Sequence, residues 1–454
     1  MTGIDAIKTR DAAIWLAAAD TDVKNGALRR IAKALLDNKS KISEANKTDE
    51  ENAKNAGLPE PIIKRLMMDE HKVESVADGI YSLIELDDPV GKQLLATELA
   101  DGLILKKISC PIGVIGVIFE SRPDALVQIA CLCLKSGNAV ILKGGSEAAG
   151  TNRLLAALIK EATCGACGNP GAAAQNNYNP LSVSLPPEWI NQLETRAEIS
   201  DILKMDDLVD LLIPRGSNEF VKYIMDNTRI PVIGHSDGIC HCYVDKSADP
   251  DMAVKIVTDA KTQYVAVCNA TETLLVHRDA AQAVLPALCD ALNCSAKTDN
   301  DKPYVRFKCC AKTMKILANR PVEAATEYDW GAEYLDYILA IKIVDSLDEA
   351  INHINRYGSR HTDAIITNDA AAAEKFMLLV DSANVYHNCS TRFSDGFRYG
   401  FGAEVGVSTS KIHARGPVGL EGMVTYKYLL SGGGDIVADF EEGRRKFTHR
   451  DFGG

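Results

Sequence analysis

The sequence predicts an α/β protein in which parallel strands are joined by helical crossovers. Short apolar runs such as GVIGVIF and NAVILKGG alternate with helical stretches such as DALVQIACLCLKSG. The chain has 454 residues, and at about 100–200 residues per domain this length predicts two or three domains. The composition, 46% hydrophobic and 25% charged, is typical of a globular protein and argues against disorder.

About the first ninety residues are predicted to be helical, with Leu28, Ile31 and Leu35 on one face. LADGLILKKIS then alternates around an Asp-Gly turn, which predicts a hairpin near residues 97–110. Strand–helix units follow, and a second set of them begins after Cys268. The break between the two sets is predicted near TRIPVIGHSDG.

Two stretches are predicted to lie outside these units. The segment 164–187 is rich in Gly, Asn, Ala and Pro without periodicity, and is predicted to be an exposed loop. Near the end of the chain, MVTYKYLLSGGGD alternates like a strand before a glycine run. It is a candidate edge strand or oligomerisation arm.

The charge of the chain narrows its classes of partner. A net charge of -12 argues against nucleic acid or an anionic membrane, although a local pocket can still bind a small anion. No apolar run reaches the roughly 18–20 residues that span a bilayer. The start of the chain does not resemble a secretory or organelle signal, so a cytoplasmic protein is expected.

The thirteen cysteines are irregularly spaced, which predicts reduced thiols rather than a disulfide framework. CGAC at Cys164–Cys167 and CHC at Cys240–Cys242 contain residue types found in zinc sites. Neither has a second group of ligands at a suitable spacing, so no metal site is predicted.

Two strand–helix turns are candidates for phosphate binding, because the N-terminus of a helix attracts anions. LKGGSEAAGTNRLL follows a predicted strand and opens a helix, and IPRGSNEFVKYI repeats the arrangement with Gly216 and Ser217. Neither turn has the GxGxxG or GxxxxGK[ST] pattern. A plain strand–helix connection uses the same glycines, so both interpretations stay open.

Cys268, in YVAVCNATETLLVH, is either a nucleophile or an inert buried thiol by residue type alone. A reactive thiol needs a stabilised thiolate and donors for an oxyanion, and the inert alternative is the commoner one. Histidines in Gly-rich or polar stretches, each more often structural, are His235, His241, His361 and His413. Arg392, Arg398 and Arg415 could clamp a carboxylate or phosphate, or form surface salt bridges.

Six motifs, taken in order, resemble one enzyme family: CPIGVIGVIFESRPDALVQIACLCLKSGNAVILKGGSEA, DLLIPRGSNEFVKYI, GHSDGICHCYVD, CNATETLLVH, GSRHTDAIIT and STRFSDGFRYGFGAEVGVSTSKIHARGPVGLEG. The family is that of the gamma-glutamyl phosphate reductases, also called glutamate-5-semialdehyde dehydrogenases, within the aldehyde dehydrogenase superfamily. The chain is especially similar to the reductase half of eukaryotic delta-1-pyrroline-5-carboxylate synthase.

The resemblance implies an aldehyde dehydrogenase-like fold. A Rossmann-type NADP-binding domain is expected at 1–228 and would carry the oligomerisation hairpin near 97–110. An α/β catalytic domain with Cys268 is expected at 229–388. Residues 389–454 are expected to return to the cofactor domain and to add a C-terminal strand to a small β oligomerisation flap, so a homo-oligomer (dimer or tetramer) is expected.

The implied reaction is the NADPH-dependent reduction of L-glutamyl 5-phosphate to L-glutamate 5-semialdehyde and phosphate, in proline biosynthesis. Cys268 matches the family's nucleophile, whose thiolate forms a thioester with the acyl group. Where hydrolytic relatives have a glutamate base this chain has His235, and where they have an oxyanion-hole asparagine it has Ser121. The backbone N–H of Cys268, with Asn269 beside it, would then carry more of the oxyanion stabilisation.

The resemblance also implies the binding residues. Lys143 matches the lysine beside the adenosine ribose, and Ser146 stands where NAD-preferring relatives often have an acid, which leaves room for a 2′-phosphate. Gly216 and Ser217 match the pyrophosphate loop, and Glu333 aligns with the glutamate that holds the nicotinamide ribose. Candidates for the carboxylate and phosphate of the substrate are Arg122, His235, Arg392 and Arg415.

The chain departs from the family pattern beside the nucleophile. Val265 replaces a proline that would stiffen the approach to Cys268, and Thr271 replaces a methionine. The loop 164–187 is also longer than in relatives. Two alternatives therefore stay open: a hydrolytic semialdehyde dehydrogenase, and a weakly active scaffold partner of glutamate 5-kinase.

Overall fold

A computed structural model describes residues 3–164, 183–234, 237–295, 305–402 and 404–452. Most of the predicted loop at 164–187, and His235, lie outside these residues. In chain order, the helices and strands are α1 (Gly3–Ala17), α2 (Thr21–Asp37), α3 (Lys39–Asn55), α4 (Glu60–Leu66), α5 (Glu70–Glu85), β1 (Gln93–Ala100), β2 (Leu103–Pro111), β3 (Val114–Phe119), α6 (Pro123–Lys135), β4 (Ala139–Lys143), α7 (Ala149–Cys164), β5 (Ile190–Leu193), α8 (Arg196–Ile202), β6 (Leu211–Arg215), α9 (Asn218–Asp226), β7 (Cys240–Val244), α10 (Pro250–Thr262), β8 (Thr271–His277), α11 (Arg278–Ser295), β9 (Arg306–Cys309), α12 (Ala311–Ile316), β10 (Val322–Ala324), β11 (Ile338–Val344), α13 (Leu347–Tyr357), β12 (Thr362–Ile366), α14 (Ala370–Leu379), β13 (Asn384–His387), β14 (Gly406–Ser408), β15 (Gly416–Val418), β16 (Val424–Ser431), α15 (Val437–Glu441) and β17 (Arg450–Asp451).

The chain separates into two compact units. Unit 1 comprises Met1–Ile233, Phe401–Val405 and Val418–Gly454, and unit 2 comprises Gly234–Gly400 and Gly406–Pro417. The predicted α/β class is confirmed, because the strand–helix alternation read from the sequence forms parallel sheets. None of the described helices is long and apolar enough to cross a membrane.

Unit 1 is built on a four-stranded parallel sheet in the order β5-β4-β3-β6. Every residue of β3 and of β4 is buried, because helices cover both faces of a parallel sheet and select continuous apolar strands. α6 buries nearly its whole length beside them. The predicted N-terminal helices are present as α1 to α5 and include the buried stripe Leu28, Ile31 and Leu35 of α2.

A second sheet of unit 1 is antiparallel, in the order β16-β2-β1-β17. The predicted hairpin is β1 and β2, and its turn places Gly102 at φ 77°, a conformation that glycine adopts without strain. The Glu98 carboxylate accepts the Gly102 N–H at 3.2 Å and so closes this turn. β16 lies at the edge of the sheet, and most of its side chains are exposed.

Unit 2 is built on a seven-stranded sheet in the order β10-β9-β11-β8-β7-β12-β13, in which every pairing is parallel. Its core packs α10 and α11 against strands such as β8, with Leu274, Val276 and Leu285 fully buried. Because the strands are parallel, their N-terminal ends lie on the same side of the sheet. The segments that lead into β11, β8, β7, β12 and β13 therefore meet on this side. Cys268 lies just before β8 there, and Glu333 lies before β11.

Candidate active site

Cys268 is partly exposed in the short segment between α10 and β8. A turn from the Ala270 N–H to the Val267 carbonyl, at 3.1 Å, shapes the segment. The Cys240 thiol donates to the Cys268 carbonyl oxygen at 3.1 Å from the neighbouring strand β7. The backbone of the proposed nucleophile is therefore fixed while its side chain is accessible.

Gly238 packs directly on Cys268. A Cβ at position 238 would lie 2.3 Å from the Cys268 carbonyl oxygen, 2.4 Å from its Cα and 2.5 Å from its Cβ. Two of these atoms are backbone atoms and cannot move aside cheaply, so only glycine fits. Gly238 belongs to the GHSDG motif, but no sequence pattern indicates that it touches the cysteine.

Asn269 is buried and tethers the cysteine segment to the chain after β13. Its Nδ2 donates to the Ser394 carbonyl at 2.8 Å, and its own carbonyl accepts the Thr391 hydroxyl at 2.7 Å. Its Oδ1 has no hydrogen-bond partner among the described residues. Through these two contacts Asn269 holds the cysteine segment against the segment that follows β13.

Thr271 departs from the family pattern, and its hydroxyl has polar partners within hydrogen-bonding distance. Its hydroxyl is fully buried, 3.1 Å from Cys242 Sγ and 3.2 Å from Thr391 Oγ1. The hydroxyl thus links β8 to β7 and to the segment that also holds Asn269. Val265 is half-buried at the start of the cysteine segment.

Arg392 is a buried cation that interacts electrostatically with Cys268. Its side chain is buried, its Nε donates to Gln263 Oε1 at 3.0 Å, and its charge interacts with the Cys268 sulfur. Burial, followed by repulsion from Arg398, lowers the pKa of Arg392 from its ordinary value. Arg398 is exposed and its Nη1 donates to the Arg392 carbonyl at 2.7 Å.

Arg415 is engaged with a carboxylate of its own unit. Its Nη2 lies 3.2 Å from Asp381 Oδ1, and Lys411 Nζ lies 2.8 Å from Asp381 Oδ2. Lys411 and Arg415 hold the pKa of Asp381 below its ordinary value. The Nη2 group of Arg415 is therefore engaged with Asp381, whereas its buried Nε has no hydrogen-bond partner among the described residues.

The candidate histidines differ in their surroundings. His241 is fully buried with Nδ1 3.0 Å from Asp363 Oδ1, and His361 is fully buried with Nδ1 2.8 Å from Thr362 Oγ1. These contacts are those of core histidines. His413 is exposed.

Unit 1 contains a cavity of about 630 Å³ whose lining includes Ser121, Lys143 and Ser146. In the sequence analysis Ser121 is a candidate for the oxyanion hole, and Lys143 and Ser146 are candidates for cofactor binding. The cavity lies beside the ends of β3 and β4. A Cβ on Gly144 would lie 2.2 Å from Asn152 Nδ2, so glycine is required for the close turn after β4. Lys143 Nζ donates to the Gly144 carbonyl. Arg122, the residue after Ser121, is exposed at the start of α6.

Near this cavity, two carboxylates that were not predicted from the sequence accept hydrogen bonds from backbone N–H groups of the kind that bind anions. Glu147 Oε1 accepts both the N–H and the hydroxyl of Ser121, at 2.7 and 2.6 Å, and Ser121 has φ 46°. Glu120 Oε2 accepts the Ser217 N–H at 3.1 Å, at the start of α9. Gly216 leaves the space for it, since a Cβ there would lie 2.7 Å from the same oxygen.

Glu333 lies in the segment before β11 and is half-buried. Two residues later, the Leu335 N–H donates to Glu272 Oε1 at 3.1 Å. The other carboxylate oxygen of Glu272 lies 2.6 Å from Lys261 Nζ, and both of these side chains are 0% exposed. Burial raises the pKa of Glu272 to about 7 and lowers the pKa of Lys261.

Comparisons with known proteins agree with this arrangement. The aldehyde dehydrogenase family model matches residues 18–306. The gamma-glutamyl phosphate reductase of Acetivibrio thermocellus is 58% identical over 444 residues, which cover 98% of this chain and 96% of that protein. This chain belongs to the gamma-glutamyl phosphate reductase family. It is therefore an oxidoreductase of the aldehyde dehydrogenase superfamily, as the sequence predicted.

Other gamma-glutamyl phosphate reductases are also similar over nearly their full length. The protein of Nostoc punctiforme is 52% identical over 447 residues, 98% of this chain and 97% of that protein. The crystal structure of the Thermotoga maritima reductase matches with a TM-score of 0.86 and 37% identity, covering 95% of this chain and 99% of that one. The predicted aldehyde dehydrogenase fold is thereby confirmed.

More distant aldehyde dehydrogenases share the fold alone. A glyceraldehyde-3-phosphate dehydrogenase from Methanocaldococcus jannaschii, solved in complex with NADP, matches with a TM-score of 0.62 at 16% identity. Membership of this nicotinamide-dependent family supports a cofactor of that class for the present chain.

Proposed function

We propose that this chain reduces L-glutamyl 5-phosphate with NADPH to L-glutamate 5-semialdehyde and phosphate, through a thioester on Cys268, in proline biosynthesis. The observation that carries the proposal is the nearly full-length similarity to gamma-glutamyl phosphate reductases. Cys268 is partly exposed, and its backbone is held near the N-terminal end of a strand in the parallel sheet, which supports the thioester route.

Cys268 acts first in the proposed mechanism. Its thiolate attacks the acyl carbon, a sulfur–carbon bond forms, and the carbon–oxygen bond to phosphate breaks so that phosphate leaves. Arg392 is a buried cation whose charge interacts with Cys268. The Cys268 N–H is the proposed donor to the oxyanion, because both donors of Ser121 are engaged with Glu147.

The residues of unit 1 fit a dinucleotide phosphate. Lys143, Ser146 and a close glycine turn line a cavity at the ends of parallel strands, and backbone N–H groups there already hold carboxylates. We assign unit 1 to cofactor binding, with Lys143 and Ser146 toward the ribose 2′-phosphate and Gly216 and Ser217 toward the pyrophosphate. Bound there, NADPH would supply the hydride that converts the thioester to the aldehyde, and the sulfur–carbon bond would break to return the Cys268 thiolate.

Other residues are proposed to contact the ribose and the substrate. Glu333 would accept hydrogen bonds from the nicotinamide ribose. Arg122, His235, Arg392 and Arg415 are the proposed contacts for the carboxylate and phosphate of the glutamyl substrate. His235 stands where hydrolytic relatives have a glutamate base, which favours release of the acyl group to phosphate over water.

The exposed edge strand β16 supports a homo-oligomer. Tyr426, Tyr428 and Leu430 are at least half exposed, and among the described strands β16 pairs with β2 alone. Large exposed apolar side chains on an open strand edge are typical of a surface that pairs with another chain.

The test runs the reaction in reverse, oxidising L-glutamate 5-semialdehyde with NADP. Activity is expected only when inorganic phosphate is present. Cys268→Ala is expected to lower kcat at least about 10³-fold, because it removes the nucleophile. Cys294→Ala is the matched control, since Cys294 is the exposed cysteine at the end of α11. Turnover without phosphate would replace the proposal with the hydrolytic alternative, and an active Cys268→Ala would remove Cys268 as nucleophile.

A further inference from the structure

The ion pair between Lys261 and Glu272 is completely buried inside unit 2, with 2.6 Å between Nζ and Oε2. Lys261 is in the last turn of α10 and Glu272 is the second residue of β8. A buried ion pair is commonly no more stabilising than apolar residues of the same volume, because both charges lose their hydration. The position of the pair therefore suggests a purpose other than stability.

Glu272 also holds the segment that precedes β11. Its Oε1 accepts the Leu335 N–H at 3.1 Å, and Leu335 has φ 51°. Leucine disfavours this left-handed backbone conformation, so an external contact is needed to maintain it. Glu333 is two residues before Leu335, and Tyr334 between them donates its hydroxyl to Asp329 Oδ1 at 2.8 Å.

The same carboxylate is close to the nucleophile along the chain. Glu272 follows Cys268 by four residues, and its strand β8 pairs directly with β11. Glu272 consequently connects the strand that carries Cys268 to the segment that carries Glu333. Lys261 holds one oxygen of this carboxylate, which leaves the other directed at Leu335.

We propose that the Lys261–Glu272 pair positions Glu333 relative to Cys268, and so sets where the nicotinamide ribose is held for hydride transfer. The inference rests on the proposed function, in which Glu333 contacts that ribose. Lys261 and Glu272 act through the Leu335 N–H and do not touch the reacting atoms. They are positioning residues.

Two double variants of the full chain isolate the contact to Leu335. Lys261→Met/Glu272→Gln and Lys261→Met/Glu272→Met both remove the two charges. Glutamine keeps an oxygen that can accept the Leu335 N–H, whereas methionine has no such acceptor. KM for NADP in the reverse assay is expected to be about tenfold higher in the methionine double than in the glutamine double, the effect of losing one hydrogen bond to the segment.

The rate at which iodoacetamide alkylates Cys268 is measured in the same proteins, with Cys268→Ala to identify the labelled site. This rate is expected to be the same in both doubles, because the cysteine segment keeps its own contacts. Lys24→Met/Asp88→Asn is the matched control in unit 1, where Lys24 and Asp88 form another buried ion pair, 2.5 Å apart. Its KM for NADP is expected to equal that of the wild type.

Equal KM values in the two doubles would overturn the inference, as would a loss of Cys268 alkylation in parallel with the rise in KM. Glu333→Gln separates this failure from failure of the proposed function. If Glu333→Gln leaves KM for NADP unchanged, the ribose contact is wrong and the inference falls with it. If Glu333→Gln raises KM while the doubles stay equal, only the inference falls.

Glu272→Asp gives a second route to the same answer if the neutral doubles do not fold. Aspartate keeps the charge beside Lys261 but is one methylene shorter, so it withdraws from the Leu335 N–H. A raised KM for NADP with normal alkylation of Cys268 is expected, and an unchanged KM contradicts the inference.

Discussion

The contact between Gly238 and Cys268 shows how much of the site depends on the absence of a side chain. Glycine is usually explained by its backbone freedom, but here the reason is space, because a Cβ would overlap the backbone of the cysteine itself. Cys240 holds the same peptide from the other strand. The exact place of the sulfur is thus set by two residues that do no chemistry.

Gly238→Ala is expected to lower kcat/KM for the reverse reaction about 100-fold, because displacement of the nucleophile by even 1 Å is costly. The measurement is steady-state kinetics alongside thermal unfolding. Gly79→Ala is the control, since Gly79 lies within α5 with nothing within 4 Å of its added Cβ. Normal activity in Gly238→Ala would show that the Cys268 backbone can shift without loss.

At this scale, the sequence indicates a candidate nucleophile but not the residues that hold it. Cys268 stands out because six motifs surround it in a characteristic order. The sequence does not reveal the supporting residues Gly238, Glu272 and Lys261. Their contacts form only when the fold brings separate strands and connecting segments together. Glu120 and Glu147 were missed for a related reason: a carboxylate on a backbone N–H leaves no pattern in the sequence.

At the scale of elements, α13 packs against β11 through a histidine that is kept neutral. His353 is 4% exposed, and its Nδ1 is 3.2 Å from Lys342 Nζ on β11. Its ring packs against Trp330, His241 and Tyr357. Burial, with electrostatic repulsion from His241, Lys342 and Arg356, lowers the pKa of His353 from 6.5 to about 2.

The stability of the protein should therefore fall in acid. The pKa of His353 is lower in the folded chain than in the unfolded chain, so its contribution is fully present above pH 6.5 and is lost as pH falls from 6.5 toward about 2. The slope from one such group approaches 1.4 kcal/mol per pH unit, which gives about 2 kcal/mol at pH 5. Urea unfolding at several pH values measures it.

His353→Gln should flatten this pH dependence, because glutamine can accept from Lys342 without titrating. His71→Gln at an exposed position of α5 is the control. Equal slopes for the His353 variant and the wild type between pH 6.5 and 5 would contradict a neutral buried ring.

The elements themselves were largely predictable. Continuous apolar runs such as VIGVIF are buried on both faces as expected, and the Asp-Gly turn forms the predicted hairpin. What the sequence could not give was the order of strands in the seven-stranded sheet. That order depends on which helices cross which faces, and it decides that the segments of Cys268 and Glu333 are neighbours.

At the scale of the whole molecule, the exposed strand β16 is the proposed contact surface for assembly. Leu430→Asp places a charge among the exposed aromatic and aliphatic side chains of this strand, and burying that charge in an interface is costly. The expected result is a shift to a species of 49.1 kDa, the mass of one chain, in size-exclusion chromatography with light scattering.

Leu378→Asp makes the same chemical change at an exposed leucine of α14 in unit 2 and serves as the control. It should leave the assembly unchanged. A wild type that already elutes as a single chain, or a Leu430→Asp protein that stays assembled, would show that β16 does not form the interface.

The parallel sheet of unit 2 has a practical consequence for altering what the enzyme accepts. The proposed nucleophile and ribose ligand lie on connecting segments, whereas the strands they lead into are buried and register with one another through their backbones. Connecting segments from other members of the family can thus be transplanted between the same strand ends without redesigning the core. The sheet is a constant scaffold, and new substrate ranges can be sought by exchanging the connecting segments at the N-terminal ends of its strands.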